Sequence, residues 1–208
     1  MDDLIFLGYE ILSTLIPFLL VLVLFRSTQK KKGVSYTRYS FIAMVMFAVY
    51  LVGVYHFTGA GTIYDGLMYQ FEWRQNQFNW IPFSNNIDVV AYILNVVLFI
   101  PFGLFVPIIW QKLNKFSKII TMGFLFTSLI EASQLLNNRR TDIDDILLNV
   151  LGAVVGFGLF KLLDKITKSK FHVNNPMIAE LLISIVVVFL GRFFLYNEMG
   201  LAKILYGF

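Results

Sequence analysis

The sequence predicts an all-α integral membrane protein: a six-helix transmembrane bundle with an aromatic interfacial or re-entrant segment between the second and third helices. Three observations carry that reading. First, 58% of the 208 residues are hydrophobic and only 14% are charged, with 22 phenylalanines and no cysteine, and the mean hydropathy is +0.72, far from the composition of a soluble domain. Second, the chain offers six apolar runs. A bilayer core about 30 Å thick takes about 20 apolar residues per helix, fewer where flanking groups snorkel or the bilayer thins. Third, basic residues fall in alternate connections, the pattern that orients membrane helices.

The runs are Leu4–Phe25, Phe41–Phe57, Asp88–Trp110, Ile119–Leu136, Ile146–Leu163 and Met177–Tyr196. The first has the apolar length of a signal peptide, but it starts Met1-Asp2-Asp3, without a basic flank or a small-residue cleavage site, and is expected to be a permanent helix. The second is the shortest and ends at His56. Without cysteine, packing and polar contacts must hold the outer surface. Without an internal repeat or a flexible linker, residues 1–208 are expected to form one membrane domain.

Arg26, Lys30, Lys31, Lys32 and Arg38 follow the first helix, Lys112, Lys115 and Lys118 the third, and Lys161, Lys165, Lys168 and Lys170 the end of the fifth. These connections are expected in the cytoplasm, which puts both termini outside. The net charge of +4 is then a property of loops lying on anionic lipid. A nucleic-acid role would need a soluble basic domain, and the sequence has none.

The informative residues gather on the expected outer side. The connection between the second and third helices carries Tyr64, Tyr69, Phe71, Trp73, Phe78, Trp80 and Phe83, aromatic groups that favour the headgroup level. Its Asn79-Trp80-Ile81-Pro82-Phe83 run admits a re-entrant turn or an anchoring interfacial helix. In the third helix Pro101 removes a backbone hydrogen bond and crowds the carbonyl of Val97, while Gly103 lets a neighbour approach. Asn95, outward of Pro101, is expected to face the bundle, because an amide in lipid is costly.

Glu131 and Gln134 share one face of the fourth helix, and a carboxylate inside a membrane is a functional candidate. In the fifth helix Asp142, Asp145, Asn149, Gly152 and Gly156 form a single stripe, polar outside and small inside. Between the two lies NNRRTDIDDILLN, residues 137–149, which packs two arginines and three aspartates into Arg139–Asp145. Three chemistries are open. Thr141 or Asp142 could cap the helix, with Asp144 and Asp145 on its positive end. Asp142, Asp145 and Glu131 could ligate a divalent cation, although there is no EF-hand loop. Alternatively, the acids could hold Arg139, Arg140 and Arg74 for an anionic ligand.

Glu131-x-x-Gln134 followed by Arg139-x-x-Asp142-Ile143-Asp144-Asp145-Ile146-x-x-Asn149-x-x-Gly152-x-x-x-Gly156 resembles the C-terminal signature of the VanZ-like family, named for a teicoplanin-resistance protein. The Asn79–Phe83 run and Asn95-x-x-Leu98-Phe99-Ile100-Pro101-Phe102-Gly103 resemble its N-terminal signatures, in the same order. Trp80 stands where the family usually has Leu, and Arg74 lies farther from Asn79 than the family's basic residue does. The resemblance covers roughly residues 74–160, within a core expected over about residues 41–163 that leaves the first and sixth helices peripheral. It implies a bacterial plasma-membrane protein that lowers susceptibility to teicoplanin and other lipoglycopeptide antibiotics.

Two mechanisms are expected from different classes. In the first, the protein binds an amphiphile at the outer leaflet: a lipid-linked cell-wall precursor, a phospholipid or the antibiotic itself. Arg74, Asn79, Asn95, Glu131, Gln134, Arg139, Asp142, Asp145 and Asn149 would then contact its head. In the second, it is a membrane enzyme acting on a lipid head through Glu131 and Asp145, with His56 as a candidate base and a divalent cation as a possible aid. No nucleophile elbow or zinc-protease motif supports the second. A transporter would show internal repeats and a site near the midplane, and a purely structural role would leave the polar groups only joining helices.

Overall fold

The computed structural model describes residues 2–71, 77–84, 88–137, 139–168 and 177–207; Arg74 lies outside the described residues. Six helical segments among them are long and apolar enough to cross a membrane. In chain order the elements are α1 (Asp2–Lys31), α2 (Arg38–Thr58), α3 (Ile63–Met68), β1 (Phe78–Asn79), α4 (Val89–Ile109), α5 (Phe116–Gln134), β2 (Thr141–Asp142), α6 (Ile143–Thr167), α7 (Ile178–Leu195) and α8 (Glu198–Tyr206). The six expected spans are α1, α2, α4, α5, α6 and α7, several extending a turn into their polar flanks. Short α3 and α8 are additions that hydropathy did not mark.

The core is built on α6. A Cβ at Gly152 would lie 2.2 Å from the Val96 carbonyl oxygen, one at Gly156 2.0 Å from that of Ile100, and one at Gly103 1.9 Å from that of Ala153. The small stripe of α6 and Gly103 of α4 therefore bring two backbones into direct contact. In lipid, where apolar burial gives little drive between helices, such close packing carries the association. Pro101 sits within α4, and Tyr50 of α2 donates a hydrogen bond to the Leu98 carbonyl at 3.0 Å, in the turn just before it.

α5 covers another side of α6, and α2 covers α4. Phe99, Phe102 and Phe126 pack with centroids 5.3 to 6.1 Å apart, and Tyr55 meets Phe126 edge-on at 5.7 Å. The outward faces remain apolar: Leu20 and Leu24 of α1 and Val89, Val90, Ile93 and Leu94 of α4 are exposed, as lipid-facing residues are.

α1 and α7 form an antiparallel pair on the α2 side. Two buried ion pairs clasp it, Glu10 to Arg192 at 2.8 Å and Arg26 to Glu180 at 2.6 Å. Tyr55 ties α2 to α7 by donating to the Ile185 carbonyl at 2.9 Å. Tyr206 donates to Asp2 at 2.9 Å, so the two ends of the described chain lie at one end of the bundle. That end also holds α3, α8 and the start of α6.

The aromatic connection begins with the short helix α3, which carries Tyr64. Beyond α3 it is a loop whose β1 runs parallel to β2, pairing Phe78 with Thr141 and Asn79 with Asp142. Trp80, Ile81 and Phe83 are exposed on it.

Candidate functional site

Asp142 ends β2 and caps α6, accepting from the Asp144 amide at 3.0 Å, so the capping expectation holds for this residue. The same carboxylate accepts from Asn79 Nδ2 at 3.1 and 3.2 Å. Asn79 Oδ1 in turn accepts from the Ile81 amide at 3.3 Å and Ser84 Oγ at 3.0 Å. Asp144, expected only to favour the helix dipole, is fully enclosed. It accepts from the Phe83 amide at 2.9 Å and from the Tyr92 hydroxyl at 2.5 Å. One layer deeper, Asn95 of α4 donates to Asp145 at 2.5 Å. Deeper still, Asn149 donates to Thr127 of α5 at 2.8 Å.

These contacts form a ladder running from the loop into the bundle. It places Asn95 inward, as expected, and fixes residues 77–84 over the positive end of α6. Glu131 is buried beside it: its backbone carbonyl accepts from Thr141 Oγ1 at 3.1 Å, while its carboxylate Oε2 is buried and has no hydrogen-bond partner among the described residues. Among the described residues no group of three or more His, Cys, Asp or Glu side chains is placed to hold a metal ion. Two of the candidate carboxylates, Asp142 and Asp145, accept from Asn79 and Asn95.

The structure separates the remaining expected site residues from the ladder. Gln134, expected on the same face as Glu131, donates to the Thr58 carbonyl at 2.6 Å. Arg139 joins it there at 2.9 Å rather than being gripped by the aspartates, and Asn137 takes the Gly59 carbonyl at 2.7 Å. Gly59 has φ +63, and a Cβ there would meet the Arg139 guanidinium at 2.8 Å. The physical cause is the C-terminus of α2, whose unsatisfied carbonyls attract donors and cations. Arg192 of α7 completes the cluster, with Nη1 donating to the Ala60 carbonyl.

His56 is not near-neighbour to Glu131 or Asp145 in its bonding; its Nδ1 lies 2.6 Å from Glu10. It thus joins the Glu10–Arg192 clasp. Neither Glu10 nor Arg192 was singled out from the sequence. The available signal was that an ionised group in an apolar run needs a partner: the first run contains Glu10 with Arg26 directly after it, and the sixth contains Glu180 and Arg192.

Between the α2–α3 turn, the start of α3, the α5–α6 connection and α8 lies a cavity of about 650 Å³, within the range of small-ligand sites. Arg139, Arg192 and Lys203 line it together with Asp65 and Glu198, and Tyr64, Tyr69 and Tyr196 add aromatic walls. Of the expected ligand residues, Arg139 reaches this cavity; Asn79, Asn95, Asp142, Asp145 and Asn149 do not line it. A second cavity of about 360 Å³ opens between the other ends of α2, α4 and α6, against Phe47, Phe105 and Phe160.

A family model described as VanZ/LLP1 matches residues 41–164, the stretch from α2 through most of α6. Protein VanZ of Enterococcus faecium is 25% identical over 130 residues, covering 61% of this chain and 75% of that protein. No solved structure matches the chain.

Proposed function

From the premise that this chain belongs to the VanZ/LLP1 family, whose model spans residues 41–164, we propose that it is a non-enzymatic envelope protein. It binds an amphiphile at the outer leaflet and thereby lowers susceptibility to teicoplanin and related lipoglycopeptides. The amphiphile is a lipid-linked wall precursor, a phospholipid or the antibiotic. The basic loops face the cytoplasm under this reading, so both termini and the 650 Å³ cavity face outward.

The observation that carries it is the cavity itself. It combines Arg139 and Lys203 with tyrosine walls and an apolar rim, the mixture that a polar head on an apolar tail requires. Arg139 uses part of its guanidinium fork on the Thr58 carbonyl, and a fork has further donors to offer an anion. The ladder supports the site from behind by fixing the start of α6, and hence the connection that carries Arg139.

The test compares teicoplanin susceptibility of cells expressing Arg139→Gln and Met199→Trp proteins at wild-type level. Met199 lines the cavity, and the indole would obstruct it. Both variants are expected to lose protection; full protection by both contradicts the reading.

A second reading rests on Glu131, whose Oε2 is buried without a hydrogen-bond partner among the described residues. There, Glu131 and Asp145 exchange protons with a lipid head. It would be favoured if Glu131→Gln abolished protection while Arg139→Gln and Met199→Trp kept it.

A further inference from the structure

The charges in the 650 Å³ cavity are of both signs, and their local bonding decides which of them a ligand meets. Arg192 is spoken for by Glu10 at 2.8 Å and by the Ala60 carbonyl. Asp65 is held at the start of α3, its Oδ2 accepting from the Thr62 amide at 2.6 Å and from Thr62 Oγ1 at 2.9 Å, and adds its negative charge to that of Glu198 on the cavity wall. Arg139 and Lys203 remain as the cations facing the space, with Glu198 as the carboxylate whose oxygens the helix start does not engage.

A head group bearing only an anion would satisfy Arg139 and Lys203 but bring its charge toward Glu198. A head bearing only a cation would meet Glu198 but be repelled by the two bases. A zwitterion matches both, and the Tyr64 and Tyr69 rings beside it suit an ammonium, which aromatic faces attract.

The rim selects a tailed form of such a head. Met68 and Met199 line the cavity and are 55% and 51% exposed, with Leu67 and Ile204 on the same helices 61% and 80% exposed. An acyl chain leaving the head would cover this apolar surface.

We infer that the cavity bounded by α3, the α5–α6 connection and α8 is a site for a zwitterionic lipid head that joins a phosphate to an ammonium. The phosphate lies at Arg139 and Lys203, and the ammonium at Glu198. This deepens the proposed function by naming the class of amphiphile, and it rests on that reading.

The experiment is native mass spectrometry of the detergent-solubilised full chain with three lipids of identical acyl chains: phosphatidylethanolamine, its N-acetylated derivative and phosphatidylglycerol. The expected result is retention of phosphatidylethanolamine about fivefold over the other two, the scale of one solvent-exposed ion pair. Glu198→Gln is expected to erase that preference while keeping phosphatidylglycerol, and Arg139→Gln to weaken all three. Soluble phosphoethanolamine, lacking the tail, is expected not to displace the lipid; displacement at equal concentration would overturn the role given to the rim. Equal retention of all three lipids by the wild type, or a preference that survives Glu198→Gln, overturns the zwitterion site. If retention is Arg139-dependent but indifferent to the head's amine, this inference fails and amphiphile binding stands. If retention is insensitive to both Arg139→Gln and Met199→Trp, both fail.

Discussion

The α2–α4–α5–α6 core and the α1–α7 pair solve the same problem, helix association in lipid, by opposite means. The core brings backbones together where side chains are missing, with Gly103, Gly152 and Gly156 at van der Waals contact or closer for any added Cβ. Its polar contacts join neighbouring helices by hydrogen bonds such as Asn95 to Asp145 and Asn149 to Thr127. The pair instead carries full charges at each end, Glu10 with Arg192 and Arg26 with Glu180. The family match, residues 41–164, covers the first device and not the second. Close backbone packing needs a fixed set of small residues, and so leaves a legible signature; an ion pair needs only two residues facing each other across an interface.

The two devices predict different failures. Arg192→Leu leaves Glu10, a carboxylate only 1% exposed, with His56 at 2.6 Å as its remaining partner, and removing one partner of a buried pair costs up to about 3–5 kcal/mol. The expected outcome is local: α7 becomes protease-sensitive in detergent while the core stays folded. The Glu10→Leu/Arg192→Leu double variant should regain most of the loss, since neither charge is then stranded. If the double variant is as damaged as the single one, the ion pair is not what holds α1 to α7.

Gly103→Leu is expected to cost on the order of 3 kcal/mol and to act globally, because the obstructing atom is the Ala153 carbonyl oxygen rather than a movable side chain. Loss of the whole cooperative thermal transition would distinguish it from the α7 defect. Gly158, with nothing within 4 Å of an added Cβ, is the control: Gly158→Ala should be neutral or slightly stabilising through helix propensity.

The smallest effect belongs to the ladder. Tyr92→Phe removes the hydroxyl that reaches Asp144 and should cost about 1 kcal/mol, typical of interhelical hydrogen bonds in membranes. Thermal unfolding in detergent measures it. A loss as large as that of Arg192→Leu would mean the ladder, not backbone packing, holds the core.

Much of the core could be read from the chain because its signals are local and periodic. Hydropathy located the six spans; the 3-and-4 spacing of Asp142, Asp145, Asn149, Gly152 and Gly156 marked one face of α6, and the amide at Asn95 required an inward partner. The partners themselves were not legible. Nothing in the spacing says that Gly152 and Gly156 meet α4, or that Gln134 and Arg139 turn away from the aspartates to the carbonyls closing α2. Those choices depend on unsatisfied groups contributed by residues about 80 positions distant in the chain. α3 and α8 escaped notice because short helices carry too little apolar length, yet they wall the cavity.

The most direct test of the account is native mass spectrometry of the solubilised wild type against Met199→Trp, looking for an amphiphile that survives purification. Obstructing the 650 Å³ cavity should abolish a retained amphiphile that the wild type carries, while a cooperative thermal transition is kept. An amphiphile retained equally by both proteins would contradict the claim that this cavity is where the protein meets its ligand.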